Sequence, residues 1–532
     1  MLTHIANSLN SSNYLLSLPI VLLMLFAVGI LLIDLITPPE WKWMNSVTAL
    51  AGVLFAAAGV MRIQFIQSQL GNSGRRIEWA FGHSMMLDHF SIFFYYLFLI
   101  SAAITIVISV RHNGGDQQNA RFYAFILLSV VGMMCMAAGF DIVLIFVGLE
   151  VMTVTTYILT GCVGQGLSSR QSTLKCFMRG TFSSAVLACG FSLLYGFTGN
   201  TNLQMIAQGM RSMPPHSGVI SHGVVTLALA VTAIGLFSKI AAMPFHQWFL
   251  DAFDGAPGGI LGLIAVAVQL ASWAMLLRIF LWGLYSLRAQ YVPMLIFVSV
   301  LSIVWASGAA LIQTELRRFM AYSSIAHAGY MILGLIALAS VEYPAPAFFE
   351  GFKGILMYLL AYTFMTLGAF AVIASLRPQK AIAQQNKDRI GDEAENQAEG
   401  QRDNRMEDGT EQIAGLFFRA PTRAIFMLLF LASLAGLPAF AGFYGKYFIF
   451  HSLLAGGHYI LAALAIACSI VAIYYYGRLA QVMFTRHSTV TMHMPIGVPM
   501  WIALGTMAIP TLVIGIYSGP FIRIVEWSLR LT

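Results

Sequence analysis

The chain has 532 residues, of which 58% are hydrophobic and only 10% carry Asp, Glu, Lys or Arg side chains. Soluble proteins contain about 25% charged residues, and the mean hydropathy here is +0.78, so a soluble globular protein is excluded. The net charge of +7 requires no nucleic-acid partner, because loop arginines and lysines beside a membrane account for it. The composition predicts a polytopic membrane protein.

Apolar runs follow one another along almost the whole chain. A helix needs about 20 apolar residues to cross a bilayer, and most of the runs are that long, whereas the alternating segments of a membrane β-barrel are not seen. The sequence predicts an all-α fold of about 14 transmembrane helices. The predicted spans are 15–36, 46–66, 88–110, 121–139, 141–163, 175–197, 222–248, 258–284, 291–313, 318–341, 346–376, 421–453, 458–484 and 497–518.

The order of these spans predicts two repeats. Residues 1–120 hold three N-terminal helices, 121–284 and 291–484 each hold five, and 485–532 hold a C-terminal helix. In each set of five, the fourth span contains a proline and an internal lysine. Five is an odd number, so the two sets must have opposite orientations, and inverted repeats with broken helices are typical of transporters.

The loops predict the orientation of the chain. Lysines and arginines are more frequent in the loops on one side, which places both termini outside the membrane. The loop 377–420 is cytoplasmic in this arrangement. It is rich in Gln, Asn, Glu, Asp and Arg and has almost nothing to bury, which indicates a flexible loop. A tolerated insertion is favoured over a docking site for a partner.

Glu150, Lys239 and Lys446 are charged residues inside predicted spans. An ionisable group at membrane depth costs about 2.5–3.5 kcal/mol on insertion scales, so it usually has a function. Lys239 can hold or release a proton as a nearby carboxylate moves, and Glu150 is the expected partner. The alternative is a static buried ion pair that fixes helix packing. For Lys446 the alternative is an amine that reaches the membrane interface.

His327 is a further candidate for proton transfer, since the pKa of an ordinary histidine is about 6.5. It lies in the segment YSSIAHAGY, where Ser323, Ser324 and Tyr322 could extend a relay. The alternative is a packed, hydrogen-bonded histidine.

The five cysteines are scattered and form no CxxC motif. Iron–sulfur and structural zinc sites are therefore not expected. No glycine-rich nucleotide motif is present either. The sequence predicts no redox centre, metal site or bound cofactor in this chain.

Several of these segments resemble a known family. LFSKIAAMPFHQWFLDAFDGAP, LRRFMAYSSIAHAGYMILG, YLLAYTFMTLGAFAVI and LASLAGLPAFAGFYGKYFIF are similar to the antiporter-like membrane subunits of respiratory complex I, NADH:quinone oxidoreductase, and most of all to subunit N. The likeness runs from about residue 85 to residue 485. It implies a proton-translocating subunit of a bacterial inner membrane, with NADH, FMN, iron–sulfur clusters and quinone in partner subunits.

The resemblance also implies residue roles. Glu150 corresponds to the glutamate that pairs with Lys239, Lys446 to the lysine of the exit half-channel, and His327 to a histidine of the central polar axis. One position departs from the family, which usually has a lysine where this chain has Gln269. Glutamine can relay a hydrogen bond but cannot store a proton at neutral pH.

Three functions stay open. The first is a proton-translocating subunit in which Lys239 connects to His327 through water and Gln269. The second is a subunit of a multisubunit cation/proton antiporter. The third is a structural spacer of the membrane arm that lacks a competent channel.

Overall fold

The structure is a computed structural model that describes residues 11–70, 79–110, 120–162, 167–211, 219–256, 258–342, 345–376, 413–485 and 497–529. Most of the predicted loop 377–420 lies outside these ranges. In the described part, nearly all regular structure is helical. A helix satisfies all of its backbone hydrogen bonds within one segment, which a lipid environment demands.

The helices of the N-terminal half are numbered in chain order. They are α1 (Ser11–Asp34), α2 (Met44–Leu70), α3 (His89–Ser109), α4 (Ala120–Ala138), α5 (Ile142–Cys162), α6 (Leu167–Thr198), α7 (Leu203–Arg211), α8 (Val219–Lys239), α9 (Gln247–Gly255) and α10 (Gly258–Gly283). A short antiparallel hairpin, β1 (Trp79–Ala80) with β2 (Met85–Met86), precedes α3.

The helices of the C-terminal half complete the chain. They are α11 (Arg288–Ile312), α12 (Leu316–Ala339), α13 (Pro346–Ser375), α14 (Leu416–Arg419), α15 (Pro421–Ala435), α16 (Ala441–Ala455), α17 (Tyr459–Thr485), α18 (Val498–Ile516) and α19 (Gly519–Ser528). The short 3₁₀ turns are Pro39–Trp41 and Tyr285–Leu287.

The all-α membrane fold is confirmed. Twelve helices of the described residues are long and apolar enough to cross a membrane, and two shorter apolar helices, Gly223–Lys239 and Pro421–Ala435, lie where the seventh and twelfth spans were predicted. The total of fourteen spans and the domain limits at 120, 284 and 484 stay predictions.

The seventh predicted span is wrong in its extent, because the helix stops at Lys239 rather than continuing to 248. The backbone turns at Ala241, which has a positive φ of 54°, and Pro244 follows a cis peptide bond. A proline cannot continue the hydrogen-bond pattern of a helix interior. The chain becomes helical again at Gln247.

The twelfth predicted span is broken in the same way. Helix α15 ends at Ala435, and Gly436 follows with a positive φ of 81°, a conformation that glycine adopts without steric cost. Ala439 is also left-handed, beside Pro438. Helix α16 begins at Ala441. The fourth span of each five-helix set thus contains the break that the sequence predicted.

The centre of the bundle is formed by three helices. The most apolar stretches of α10 and α13 are entirely buried inside the protein, and that of α12 is 94% buried. Helix α10 is not regular, since it contains two π-helical segments, Ile264–Val268 and Ile279–Gly283. Such segments are rare and often lie at functional sites.

Candidate proton-transfer site

Lys239 is the last residue of α8 and is buried. Its Nζ donates hydrogen bonds to Ser184 Oγ (2.8 Å) and to the carbonyl of Gly180 (3.3 Å), both on α6. The break after Lys239 frees the carbonyl of Ser238, which accepts a hydrogen bond from the indole of Trp248 (2.6 Å). The broken helix therefore places a buried amine against neutral oxygen acceptors.

A small cavity adjoins the Lys239 amine. Its volume is about 10 Å³, which is close to the minimum that one water molecule needs. The lining is mixed, with hydroxyl groups from three helices beside apolar side chains. The polar lining residues are Thr153, Thr156, Tyr157, Ser183 and Ser272.

Glu150 lies on α5, half-buried, and interacts electrostatically with Lys239. No ion pair within 4.0 Å joins the two described side chains, because the amine of Lys239 bonds to Ser184 and Gly180. The Oε1 atom of Glu150 is buried and has no hydrogen-bond partner among the described residues. The two side chains are therefore not directly bonded in this structure, and the role of the pair stays a prediction.

Gln269 is buried on α10, directly after the first π-helical segment. Neither Oε1 nor Nε2 of its amide has a hydrogen-bond partner in the part of the chain that the structure describes. Its helix faces two sites. Val268 and Ser272 line the Lys239 cavity, and the carbonyl of Ala265 accepts a hydrogen bond from Tyr362 (3.1 Å).

His327 is buried on α12, and both of its ring nitrogens contact tyrosine hydroxyls. Nδ1 lies 2.5 Å from Tyr358 Oη and Nε2 lies 3.1 Å from Tyr476 Oη. The hydroxyl of Ser323 bonds to Tyr476 in turn. The ring of Tyr362 lies 5.7 Å from the histidine ring, so α10 and α12 are connected through α13.

Lys446 is buried one turn into α16. Its Nζ points back to the helix break, where it donates to the carbonyl of Ala435 (2.8 Å), and it also donates to Ser469 Oγ (3.1 Å). It lies 5.1 Å from the centre of the Tyr330 ring, which is 6.5 Å from the His327 ring. The alternative of an amine that reaches the membrane interface is wrong.

The structure therefore orders the predicted residues along the interior. Lys239 lies at one end, beside Glu150, and Lys446 lies at the other, beside His327. Gln269 is on the helix between them. The sequence did not predict that Ser184, Tyr358 and Tyr476 hold Lys239 and His327. Tyr358 could have been predicted as a site residue, because it begins the motif YLLAYTF that carries the family resemblance. Tyr476 lies in a run of three tyrosines for which no function was predicted.

A buried ion pair outside this axis was also missed. Asp88 begins the predicted span 88–110, and Arg278 lies six residues before the end of the predicted span 258–284. In the structure the Arg278 side chain is completely buried and paired with Asp88.

Comparison with known proteins places this arrangement in a family. The family model described as NADH:quinone oxidoreductase/Mrp antiporter, TM, matches residues 139–472. NADH-quinone oxidoreductase subunit N 1 of Koribacter versatilis is 43% identical over 100% of this chain and 98% of that protein. Subunit N 2 of Solibacter usitatus is 37% identical over 98% of each. The chain belongs to the subunit N family of NADH-quinone oxidoreductase.

Solved structures agree with this membership. A chain of respiratory complex I from Thermus thermophilus with bound aureothin is 28% identical, with a TM-score of 0.72, over 95% of this chain and 98% of that one. A chain of the Mrp complex from Dietzia has a TM-score of 0.77 at 17% identity, over 98% of this chain and 97% of that one. The second comparison shows a shared fold.

Membership in the subunit N family confirms the predicted function at the level of the complex. The chain is a proton-translocating, membrane-arm subunit of NADH-quinone oxidoreductase, the enzyme of which it forms a part. Its partners are the other membrane subunits of that complex, and it is a multi-pass protein of a bacterial inner membrane. The roles of individual residues stay predictions.

Proposed function

We propose that this subunit carries protons along an internal path between its two buried lysines, Lys239 and Lys446. Gln269 and His327 connect the lysines, and Glu150 controls the proton on Lys239. The observation that supports the path most strongly is the shared geometry of the lysines. Each amine lies at the break of a discontinuous span and bonds to uncharged oxygens.

Uncharged partners suit a group that gains and loses a proton. A carbonyl or hydroxyl oxygen accepts a hydrogen bond from an ammonium and also from a neutral amine. A directly bonded carboxylate would favour only the charged form of the lysine. Lys239 and Lys446 thus sit where neither protonation state is fixed by a contacting charge.

The buried amide of Gln269 supports a connection between the two lysines through ordered water. A buried amide without hydrogen-bond partners costs several kcal/mol, and the usual remedy in protein interiors is ordered water. Water at Gln269 would connect the cavity of Lys239 with the hydroxyls around His327, because α10 adjoins both. Glutamine relays the proton in this path and the lysines store it.

Glu150 controls the proton on Lys239 through its electrostatic interaction with the amine. Two unit charges about 8 Å apart at an effective dielectric constant of about 20 interact by about 2 kcal/mol. Moving one charge against the membrane potential costs about 2.3 kcal/mol per 100 mV. A change in the separation of Glu150 and Lys239 therefore changes their interaction energy by an amount comparable with the cost of moving one proton. We assign NADH, FMN, iron–sulfur clusters and quinone to the partner subunits.

The test is a substitution of Lys239→Met in the assembled complex. Methionine keeps most of the volume but cannot carry a proton. We expect NADH-driven electron transfer and proton pumping to fall together, whereas Lys42→Met, at a partly exposed lysine outside the spans, leaves both unchanged. Normal pumping in Lys239→Met at normal rates of electron transfer would reject the path.

A structural spacer is the second candidate, because Gln269 replaces the lysine usual in the family. Glu150→Gln separates the two functions. A spacer tolerates the loss of this half-buried charge, since the carboxylate makes no ion pair with Lys239. In a pump, Glu150→Gln lowers the number of protons transported per electron.

A further inference from the structure

We propose that Glu350 is the group that releases the proton of Lys446 to the outer surface, and that Lys353 and Glu526 position it. This inference rests on the proposed function, since it adds a release step beyond Lys446. These three side chains form a cluster at the end of the bundle where α13 begins and α16 ends. None of them belongs to the path described above.

The cluster is held together by two ion pairs. Lys353 Nζ lies 2.7 Å from Glu350 Oε1, one turn away on α13, and 3.7 Å from Glu526 Oε1 on α19. One ammonium thus faces two carboxylates, so one negative charge is left over when all three groups are ionised. That excess provides an acceptor for an arriving proton.

Lys353 lies about one turn outward from Lys446, and Glu350 lies about two turns outward. The close approach of α13 and α16 fixes the register: a Cβ atom on Gly445 would meet Tyr358, and one on Gly354 would meet the backbone of Ile449. Lys353 therefore lies about four residues beyond the level of Lys446, or about 6 Å along the helix axis. Its amine lies 4.7 Å from the centre of the Phe448 ring, two residues after Lys446.

Exposure rises in the same direction. Lys446 is buried, and the exposed fractions of the side chains are 12% for Lys353, 30% for Glu350 and 52% for Glu526. The positive-inside pattern places this end of the bundle on the outer side. The cluster therefore connects the interior lysine with the surface to which protons are delivered.

The step is a simple proton transfer. The Lys446 ammonium loses a proton through water to the carboxylate of Glu350 and remains as a neutral amine, ready for the next proton. Glu350 then loses that proton to the outer solution and returns to its charged form. Lys353 holds the carboxylate in place at the outer end of α13, and Glu526 on α19 holds Lys353.

Glu350→Gln in the assembled complex tests this step. The rates of NADH-driven proton pumping are measured per assembled complex in membrane vesicles. We expect the pumping rate to fall about tenfold. This is less than the loss of about 100-fold that is typical when a general acid or base is removed, because water partly replaces the carboxylate. Glu350→Asp restores most of the rate, and a small weak acid such as formate restores pumping in Glu350→Gln by carrying the proton.

The matched control is Glu342→Gln. Glu342 follows α12 at the same end of the bundle and pairs with Arg288 at 2.8 Å, but it lies outside the cluster. We expect normal pumping in this variant. Glu526→Gln, which leaves Glu350 in place, is expected to lower pumping less than Glu350→Gln.

The outcomes separate this inference from the proposed function. Normal pumping in Glu350→Gln, with a loss in Lys446→Met, overturns the release step and retains the path. Normal pumping in both variants overturns both. A loss in Glu350→Gln that formate does not restore, or a fall only in the amount of assembled complex, shows that the cluster is a structural clamp for α19 and overturns the release step.

Discussion

Arg278 and Asp88 form a two-pronged ion pair in the interior of the bundle. Nη1 of Arg278 lies 2.9 Å from Oδ2 of Asp88, and Nη2 lies 2.5 Å from Oδ1. The guanidinium also donates to the carbonyl of Ala137 and to Ser91 Oγ, and lies over the ring of Trp282. Since Arg278 is on α10 and Asp88 caps α3, the pair fixes the helix that carries Gln269.

Removing one partner of this pair is expected to destabilise the subunit strongly. Breaking a buried ion pair leaves an uncompensated charge and costs about 3–5 kcal/mol. Asp88→Asn keeps a good helix cap but leaves Arg278 unpaired, so we expect little folded subunit in the membrane. The double variant Asp88→Asn, Arg278→Met removes the charge and is expected to recover part of the loss. The amount of assembled complex measures both, and equal loss in the single and double variants contradicts the prediction.

Gly436→Ala is expected to disturb the Lys446 amine. A Cβ atom at this position would lie 2.8 Å from Lys446 Cδ and 3.1 Å from Nζ. The control is Gly457→Ala, because Gly457 has a similar φ of 79° and nothing within 4 Å. Both variants strain the backbone by about 1–2 kcal/mol, but only Gly436→Ala displaces the amine from Ala435. We expect proton pumping per assembled complex to fall in Gly436→Ala alone.

Tyr358→Phe is expected to slow proton transfer at His327. The substitution removes the hydroxyl that lies 2.5 Å from Nδ1 and leaves the ring packing intact. Loss of one such partner should reduce pumping about tenfold, below the about 100-fold or more typical of a lost acid or base. Tyr474→Phe, at an exposed tyrosine on α17, is the control. Equal pumping in both variants would show that the histidine serves packing only.

Gln269→Met tests whether the Gln269 amide relays the proton between the lysines. Methionine has a similar length and volume but cannot hold water by hydrogen bonds, so we expect pumping and coupled electron transfer to decrease. Leu270→Met, a volume-conserving change at the next buried position, usually costs less than about 1.5 kcal/mol and should leave pumping intact. If Gln269→Met pumps normally, the connection between Lys239 and His327 does not pass through this amide.

The sequence by itself determined the all-α membrane class of the fold and the two breaks in the fourth span of each five-helix set. Apolar runs of bilayer length are a direct requirement of the lipid environment. A proline favours a break in a helix interior, although Pro19, Pro293 and Pro510 lie within continuous helices of this chain. It also predicted Glu150, Lys239 and Lys446 as candidate residues, because a charged group at membrane depth is costly, and His327, because the ordinary pKa of histidine suits proton transfer.

Only the tertiary structure decided how these groups are partnered. A span shows which residues are buried in the membrane but not which face meets another helix, so the sequence did not predict that the hydroxyls of Ser184, Tyr358 and Tyr476 contact Lys239 and His327. Nor could the chain order show that Lys239 bonds to neutral oxygens while Glu150 stays at a distance. Hydrogen bonds act over about 3 Å, and the residues that they join lie up to 190 positions apart in this chain.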